Sequence, residues 1–310
     1  GKSVTSLSLM QLLQRPQGQI VEGAIRLNLG NDKAYDIAKT PADKMQGLRG
    51  NYISMIFQEP MTSLNPVFRI GAQIDEVIAL HDGEGKSKED IKKRTVEMLE
   101  MVGIANSQGV YEMYPHELSG GMRQRVMIAM ALACNPKVII ADEPTTALDV
   151  TIQSKILDLI KQIQQKMHLS VIYITHDLGV VAKVADYVNV MYAGKIVEVG
   201  NVEEIFYEPC HPYTWGLLSA MPDLETADDR LYSIPGSPPN LLHEPVGDAF
   251  AARNRFAMVI DKKAEPPLFK VSETHYAATW LLHPDAPAFE MPKELKERLE
   301  RAKKEAAKYL

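Results

Sequence analysis

Two polar motifs in the middle of the chain have the residue types and spacing that phosphate chemistry requires. The first is a turn of small residues, Ser119-Gly120-Gly121, directly before a helical pattern. Such a turn can aim backbone N–H groups and a helix N-terminus at a phosphate. The second is the pair Asp142 and Glu143, which ends the apolar run Val138–Ala141. Carboxylates there can serve a magnesium ion and an attacking water, so the two motifs together predict a site for nucleotide hydrolysis.

The first three residues match the end of a phosphate-binding loop. Gly1-Lys2-Ser3 precedes a helical pattern over residues 4–13 and corresponds to the last part of G-x-x-x-x-G-K-[ST]. The tripeptide alone is uninformative, but it stands before a helix and before the other motifs. In this loop Lys2 reaches the β- and γ-phosphates and Ser3 holds magnesium. We expect the natural chain to carry the rest of the loop ahead of Gly1, and residues 1–310 to bind ATP weakly without it.

Two further polar residues follow predicted strands. Gln58 comes directly after the strand pattern 52–57, and His176 directly after the β-branched pattern 170–175, which we interpret as a buried strand. A lone glutamine or histidine at such a place is more often structural. Their order relative to the other motifs favours a functional role for both instead.

The ordered motifs resemble those of the ATP-binding cassette (ABC) ATPases. Leu118–Arg125 resembles the family's signature motif, Val138–Glu143 its Walker B motif, and Thr145–Asp149 its D-loop. Gln58 and His176 stand where the family has its Q-loop glutamine and switch histidine. The resemblance implies an α/β fold, with a P-loop NTPase core, a helical subdomain and a proline-rich C-terminal extension.

The resemblance also implies a role for each of these residues. Glu143 orients or deprotonates the attacking water, and His176 contacts the γ-phosphate, so both are expected to be catalytic. Magnesium would be held by Ser3, Gln58 and Asp142. The remaining residues expected to bind ATP are Gly1, Lys2, Ser119, Gly120, Gly121 and Asp149. In this scheme the Ser119 turn acts on the nucleotide of a facing subunit, where a side chain on either glycine would hold the backbone amides away.

Three stretches indicate a branch of the family. Gln58–Pro66, His211–Thr214 with Leu217-Leu218, and Ile234–Pro239 resemble the ATPase subunits of oligopeptide and dipeptide importers. That implies two permease subunits and an extracytoplasmic peptide-binding protein acting indirectly. It also implies a second ATPase subunit, which we expect to be a different chain. It places the chain peripherally on the cytoplasmic face of the membrane. The sequence leaves open dipeptide or nickel as cargo, and a non-hydrolysing role in a heterodimer.

Composition excludes several other classes of protein. The net charge of −6 is not the positive charge that is typical of proteins that bind nucleic acid. This argues against an ABC ATPase that acts on ribosomes or DNA. The apolar run 126–134 is too short to cross a bilayer. Cys134 and Cys210 are far apart and lack CxxC spacing, so no disulfide framework or zinc site is predicted.

Four segments are predicted along the chain. Residues 1–57 form the first part of the ATPase core, 58–135 the Q-loop and helical subdomain with the signature motif, 136–220 the second part of the core, and 221–310 the extension. Coupling to the permease is expected through residues 58–66 and the helical segment after Gly71.

Twelve of the nineteen prolines lie between residues 209 and 292, so the extension is predicted to be irregular rather than more sheet. A terminal helix over 292–310, with Leu295, Leu299 and Ala302 on one stripe, is interpreted as solvent-exposed.

The extension is expected to fold without an iron–sulfur cluster. Several relatives of this branch bind a cluster through four cysteines, and the corresponding positions here are Asp248, Asn254, Asp261 and Thr279. None of them supplies the sulfur that cluster binding requires. We expect packing of Phe250, Phe256 and Trp280 to hold this segment instead. The two aspartates suggest either a hard-metal site or surface charge, and we favour surface charge.

Overall fold

The computed structural model describes residues 1–30, 34–58, 63–82, 84–146, 148–221, 233–306 and 308. The chain divides into two compact units, each with its own core. The first comprises Ser3–His176, and the second comprises Gly1–Lys2 with Asp177–Leu310. The four predicted segments remain a prediction, and the boundary predicted at residue 221 adjoins residues outside the described part.

The first unit combines five strands with seven helices in the described residues. In chain order these are α1 (Lys2–Leu9), β1 (Arg26–Asn28), β2 (Ala34–Asp36), α2 (Ala42–Leu48), β3 (Ile53–Ile56), α3 (Ile70–Asp82), α4 (Lys88–Met101), α5 (Ser107–Glu112), α6 (Gly120–Leu132), β4 (Val138–Asp142), α7 (Val150–Met167) and β5 (Ser170–Ile174). β1 and β2 form a small antiparallel hairpin. β3, β4 and β5 form a parallel sheet with β4 in the centre.

The parallel sheet explains the apolar sequence of β4. Ile139, Ile140 and Ala141 are all buried, because a central parallel strand is covered on both faces. β5 differs from the prediction of a buried strand. Its burial alternates, and Ile172 is 40% exposed, since β5 is an edge strand among the described residues.

Helix ends follow local capping chemistry. Ser87 and Asp90 form a reciprocal capping box at the start of α4, and Asn106 caps α5. α1 is shorter than the helix predicted over residues 4–13, and a positive φ follows the end of both α1 and α6. α1 ends at Leu9, shortly before Gln11 with a φ of 48°, and α6 ends at Leu132, before Asn135 with a φ of 53°. Positive φ angles stop a right-handed helix.

The second unit contains a four-stranded sheet and a docked terminal helix. Its elements are α8 (Leu178–Val184), β6 (Tyr187–Tyr192), β7 (Lys195–Asn201), α9 (Val202–Tyr207), α10 (Pro212–Ser219), β8 (Phe269–Lys270), β9 (Tyr276–Ala277) and α11 (Lys293–Ala306). The strand order is β6-β7-β9-β8, with all neighbours antiparallel. β6 and β7 form a hairpin, and Ala193 and Gly194 both have the positive φ that its two-residue turn requires.

The C-terminal segment departs from its predictions in two ways. β8 and β9 extend the sheet by two short strands, although most of the segment is irregular as expected. α11 is not a solvated helix, because Leu295 and Leu299 are buried against Trp215 and Leu218. Ala302 is exposed and lies outside this stripe. In the described residues, no helix has the length and apolar character needed to span a membrane.

Candidate functional site

The parallel sheet of the first unit brings three of the predicted residues to one edge. The carboxyl ends of parallel strands meet at the same edge of a sheet. Gln58 follows β3, Asp142 ends β4, and His176 follows β5. The topology therefore gathers residues that lie more than a hundred positions apart in the sequence.

Glu143 is the centre of this group. Its Oε2 accepts hydrogen bonds from Gln58 Nε2 at 2.9 Å and from Thr146 Oγ1 at 3.0 Å. Its Oε1 lies 3.0 Å from Nδ1 of His176. Three polar groups therefore fix the carboxylate at the end of β4. Its side chain is mostly buried, whereas that of His176 is 68% exposed and open to a ligand.

The backbone of Glu143 is also unusual. Its φ is 47°, in the left-handed region that non-glycine residues rarely adopt. Its N–H donates to the carbonyl of Ile174 at 2.8 Å, which ties the residue to the end of β5. Such conformations persist only where the surroundings enforce them, and they cluster at functional sites.

Asp142 faces the start of α1. Ser3 Oγ donates to Asp142 Oδ1 at 3.3 Å, and Ser6 Oγ donates to Oδ2 at 3.1 Å. Asp142 and Ser6 are both buried. The sequence analysis overlooked Ser6 and Thr146. Ser6 lies one helical turn after Ser3, and Thr146 three residues after Glu143, so i, i+3 spacing is the signal for both.

The predicted signature turn begins α6, as expected. Ser119 is the N-cap, and its side chain accepts the N–H of Met122 at 3.4 Å. A Cβ on Gly121 would stand 3.0 Å from Cγ2 of Ile152, so this turn packs closely on the first turn of α7. Asp149 caps α7 by accepting the N–H of Ile152 at 2.9 Å. The nucleotide-binding roles predicted for these residues stay predictions.

Gly1 and Lys2 group with the second unit, and Lys2 is the first residue of α1. Ser3, in the first turn of that helix, belongs to the group around Asp142.

Beside Ser3, Gln58 and Asp142 there is a cavity of about 740 Å³. Its wall is rich in methionine, with Met10, Met55, Met127 and Met130. The carboxylate of Asp142 therefore adjoins open space rather than a packed core.

The four positions aligned with cluster cysteines are buried, which contradicts the interpretation of Asp248 and Asp261 as surface charge. Their side chains shape local turns. Asp248, Asn254 and Thr279 each accept the backbone N–H two residues ahead, and Asp261 accepts that of Met258. Burial and the nearby carboxylates of Asp261 and Glu265 raise the pKa of Asp248 to about 6. Phe250, Phe256 and Trp280 take part in three separate aromatic contacts, with Tyr192, Trp215 and Phe269 respectively.

Comparisons with known proteins agree with the geometry. Residues 1–146 match the family described as ABC transporter, and residues 197–260 match the one described as oligopeptide/dipeptide transporter, C-terminal region. The chain is 57% identical over 300 residues to the oligopeptide transport ATP-binding protein OppD of Bacillus subtilis, covering 96% of this chain and 82% of that protein. It is 54% identical over 287 residues to the dipeptide transport ATP-binding protein DppD of Lactococcus lactis, covering 93% of this chain and 80% of that protein.

A solved structure shows the same fold. It is a dimeric ATP-binding cassette in a post-hydrolysis state, bound to ADP and Pi, with a TM-score of 0.52 and 26% identity. The match covers 64% of this chain and 79% of that one. The predicted α/β P-loop fold is confirmed. The chain belongs to the ABC transporter family, as an ATP-binding subunit of the branch that carries the oligopeptide/dipeptide transporter C-terminal region.

Proposed function

We propose that this subunit hydrolyses ATP at the site around Asp142 and Glu143 to power the uptake of oligopeptides through membrane permeases. The observation that supports hydrolysis at this site is the Glu143 carboxylate, held by Gln58, Thr146 and His176 at the edge of the sheet. The proposed cargo rests on the two relatives described above, whose names specify oligopeptide and dipeptide transport.

Glu143 acts on the attacking water in this proposal. A carboxylate already held by three polar groups needs little reorganisation to orient a water and accept its proton. His176 approaches the other side of the water and contacts the γ-phosphate. Lys2 places a positive charge near the β- and γ-phosphates. Phosphoryl transfer depends mainly on such positioning and on charge stabilisation.

The residues around Asp142 fit a magnesium ion. Ser3 Oγ and Asp142 Oδ1 already lie 3.3 Å apart, and the amide of Gln58 supplies a further oxygen. Mg²⁺ prefers oxygen donors from one or two carboxylates together with substrate phosphates. Ser3, Asp142 and Gln58 would therefore hold the ion, which would neutralise charge on the bound phosphates.

The proposed assembly contains more than this chain. The Ser119 turn would act on the ATP of a second, different ATPase subunit, and that subunit's turn would complete the site around Glu143. Two permease subunits would hold the pair on the cytoplasmic face of the membrane, and an extracytoplasmic binding protein would deliver the peptide. The likeness to DppD supports dipeptides as a second candidate cargo.

Uptake by a reconstituted complex tests this proposal. The full-length chain, its partner ATPase and both permeases are placed in proteoliposomes, and uptake of labelled oligopeptides and dipeptides is measured with ATP on the cytoplasmic side. We expect ATP-dependent oligopeptide uptake. Glu143→Gln should keep ATP binding and lower turnover at its own site by about 10²–10⁴-fold.

Glu22→Gln is the matched control, since Glu22 is exposed in the loop before β1. It should leave both activities unchanged. Normal turnover at the Glu143→Gln site would contradict the assignment of the base. Uptake of dipeptides alone would contradict the cargo but leave the ATPase site intact.

A further inference from the structure

Three potential metal ligands converge in the second unit. Glu198 lies in β7, Cys210 between α9 and α10, and His275 directly before β9. One ligand atom from each lies within 4.8 Å of the others. Glu198 and His275 are almost completely buried, and Cys210 is half-buried. The cluster therefore has two buried members and one member that solvent reaches.

The fold holds each ligand by contacts of its own. Glu198 stands opposite Ala277 in the β7–β9 ladder, and His275 lies two residues before Ala277 on the same strand face. The backbone N–H of His275 donates to Ser272 Oγ at 3.0 Å. The backbone N–H groups of Cys210 and His211 donate to the Glu198 carboxylate at 2.5 and 3.2 Å. The backbone thus positions the three side chains before any ion binds.

We propose that Glu198, Cys210 and His275 form a zinc site. One carboxylate oxygen, one sulfur and one imidazole nitrogen are the ligand types that Zn²⁺ combines in proteins. Three protein ligands leave a fourth tetrahedral position for water, and the exposed side of Cys210 provides the route for both the ion and the water.

A purely structural hydrogen-bond network explains only part of this arrangement. His275 Nε2 lies 2.8 Å from Glu198 Oε1, which accounts for the buried carboxylate and imidazole. It does not include the sulfur, because the Cys210 thiol donates a hydrogen bond to the carbonyl of Glu208 at 3.5 Å instead. A bound cation would use all three groups.

Negative charge at this place favours a cation. The carboxylate of Glu198 is almost completely buried, lies 2.8 Å from Nε2 of His275 and offers an oxygen within 4.8 Å of the Cys210 sulfur. On binding, the thiol releases its proton to solvent as the sulfur–zinc bond forms. The proton that Nε2 of His275 shares with Glu198 also leaves, and the imidazole becomes the tautomer protonated at Nδ1, so that the Nε2 lone pair can bind the ion.

Titration with Co²⁺, a spectroscopic substitute for Zn²⁺, tests the proposal. The full chain is stripped with a chelator and titrated with Co²⁺ in the absence of nucleotide. We expect one ion per chain, a near-ultraviolet charge-transfer band from thiolate to Co²⁺, and loss of the band when Zn²⁺ is added.

The other cysteine supplies the matched control. Cys210→Ser should abolish the band, and Cys134→Ser, which alters a cysteine of the first unit, should retain it. Zn²⁺ should raise the melting temperature of the wild type and of Cys134→Ser, but not that of Cys210→Ser. His275→Gln and Glu198→Gln should weaken binding, and if either fails to fold, the partly exposed Cys210 still decides the outcome.

Absence of the band in the wild type, or its persistence in Cys210→Ser, would overturn the proposal. So would a bound ion that is lost only when Asp248 and Asp261 are replaced, because that result would locate it at the buried aspartates.

Discussion

At the scale of single residues, Glu143 combines a rare backbone conformation with an ordered side chain. Its left-handed φ follows directly after a buried strand, and its carboxylate meets Gln58, Thr146 and His176. The sequence indicated the role of Glu143 because a second acidic residue followed the first. The positive φ and the contact with Thr146 could not be predicted, since they depend on how β4 and β5 lie side by side.

The contact between His176 and Glu143 predicts coupled losses of activity. His176→Ala should lower ATP turnover of the assembled transporter by about 10²–10³-fold, because it removes a group facing the transition state. In a Glu143→Gln background, His176→Ala should lower ATP turnover by a much smaller factor, since both residues serve one step. Steady-state ATP hydrolysis measures both effects.

His243→Ala is the control for this cycle, because His243 is exposed in the second unit. Its turnover should equal that of the wild type in both backgrounds. Fully additive losses for His176 and Glu143 would show that the 3.0 Å contact between them does not serve a common step.

Asp248 makes the stability of the second unit depend on pH. Burial and the neighbouring carboxylates raise its pKa from 3.8 to about 6, so the folded chain binds this proton more tightly than the unfolded chain. The free energy of unfolding should therefore fall as the pH rises from about 4 to about 6 and stay low above it.

Asp248→Asn keeps an oxygen that accepts the N–H of Phe250 and removes the charge. We expect it to stabilise the unit by on the order of 1–2 kcal/mol above about pH 6, less than the full pKa change implies because some solvent screens the carboxyl.

Urea unfolding followed by tryptophan fluorescence measures this effect, since the chain's two tryptophans, Trp215 and Trp280, both lie in the second unit. Asp285→Asn is the control, because the side chain of Asp285 is 93% exposed. A pH profile of unfolding that is identical in wild type and Asp248→Asn would show that Asp248 is already ionised near pH 4 in the folded state.

At the scale of elements, the sequence was informative where one local signal dominated. The apolar run of β4 and the turn before α6 both appear where predicted. The errors arose where tertiary contacts decided the outcome. The charged composition of α11 suggested a solvated helix, whereas Leu295 and Leu299 are enough to dock it on Trp215 and Leu218. Asp248 and Asp261 looked like surface charge because their backbone partners cannot be read from the sequence.

The segment before α3 is the element expected to meet the permease. Residues 59–62 of the predicted coupling stretch lie outside the described part, but the following turn is well defined. The side chain of Gln73, on α3, accepts the N–H of Asn65 and donates to the carbonyls of Asn65 and Phe68. These three hydrogen bonds hold the turn against α3, while the side chains of Val67 and Phe68 remain exposed.

Phe68→Ser should therefore lower peptide transport more than basal ATP hydrolysis. Phe68 is 55% exposed and can contribute apolar contact area to a partner without supporting the core of this chain. It is a cleaner probe than Asn65, whose side chain also accepts the N–H of Val67 and so maintains the turn. Both activities are measured in the same proteoliposomes.

Val21→Ser serves as the comparison, because Val21 is 91% exposed in an unrelated loop. It should change neither activity. Equal loss of transport and hydrolysis in Phe68→Ser would show that the turn supports folding rather than coupling.

At the scale of the whole molecule, the two units have different relations to the proposed function. The first contains the carboxylates, the polar residues around them and the signature turn. The second contains the region matched to oligopeptide/dipeptide transporters and the proposed zinc cluster. Proline content and motifs predicted a boundary at residue 221, which remains a prediction, whereas the two units divide between His176 and Asp177. The zinc cluster could not be predicted, because Glu198, Cys210 and His275 come together only through β7, β9 and the turn before α10.

The last prediction concerns the Ser119 turn, which in the proposed pair completes the site of the other subunit. The test uses a partner ATPase whose own catalytic glutamate is replaced by glutamine, so that turnover reports the site of this chain alone. Ser119→Arg in this chain should then leave turnover nearly unchanged, whereas Glu143→Gln should abolish most of it. Ser119 also caps α6, so the variant's melting temperature is measured in parallel, with a cost of about 1 kcal/mol expected for the lost cap. If Ser119→Arg abolishes turnover in a folded pair, the turn acts on the ATP of its own chain, and the division of labour between two subunits is wrong.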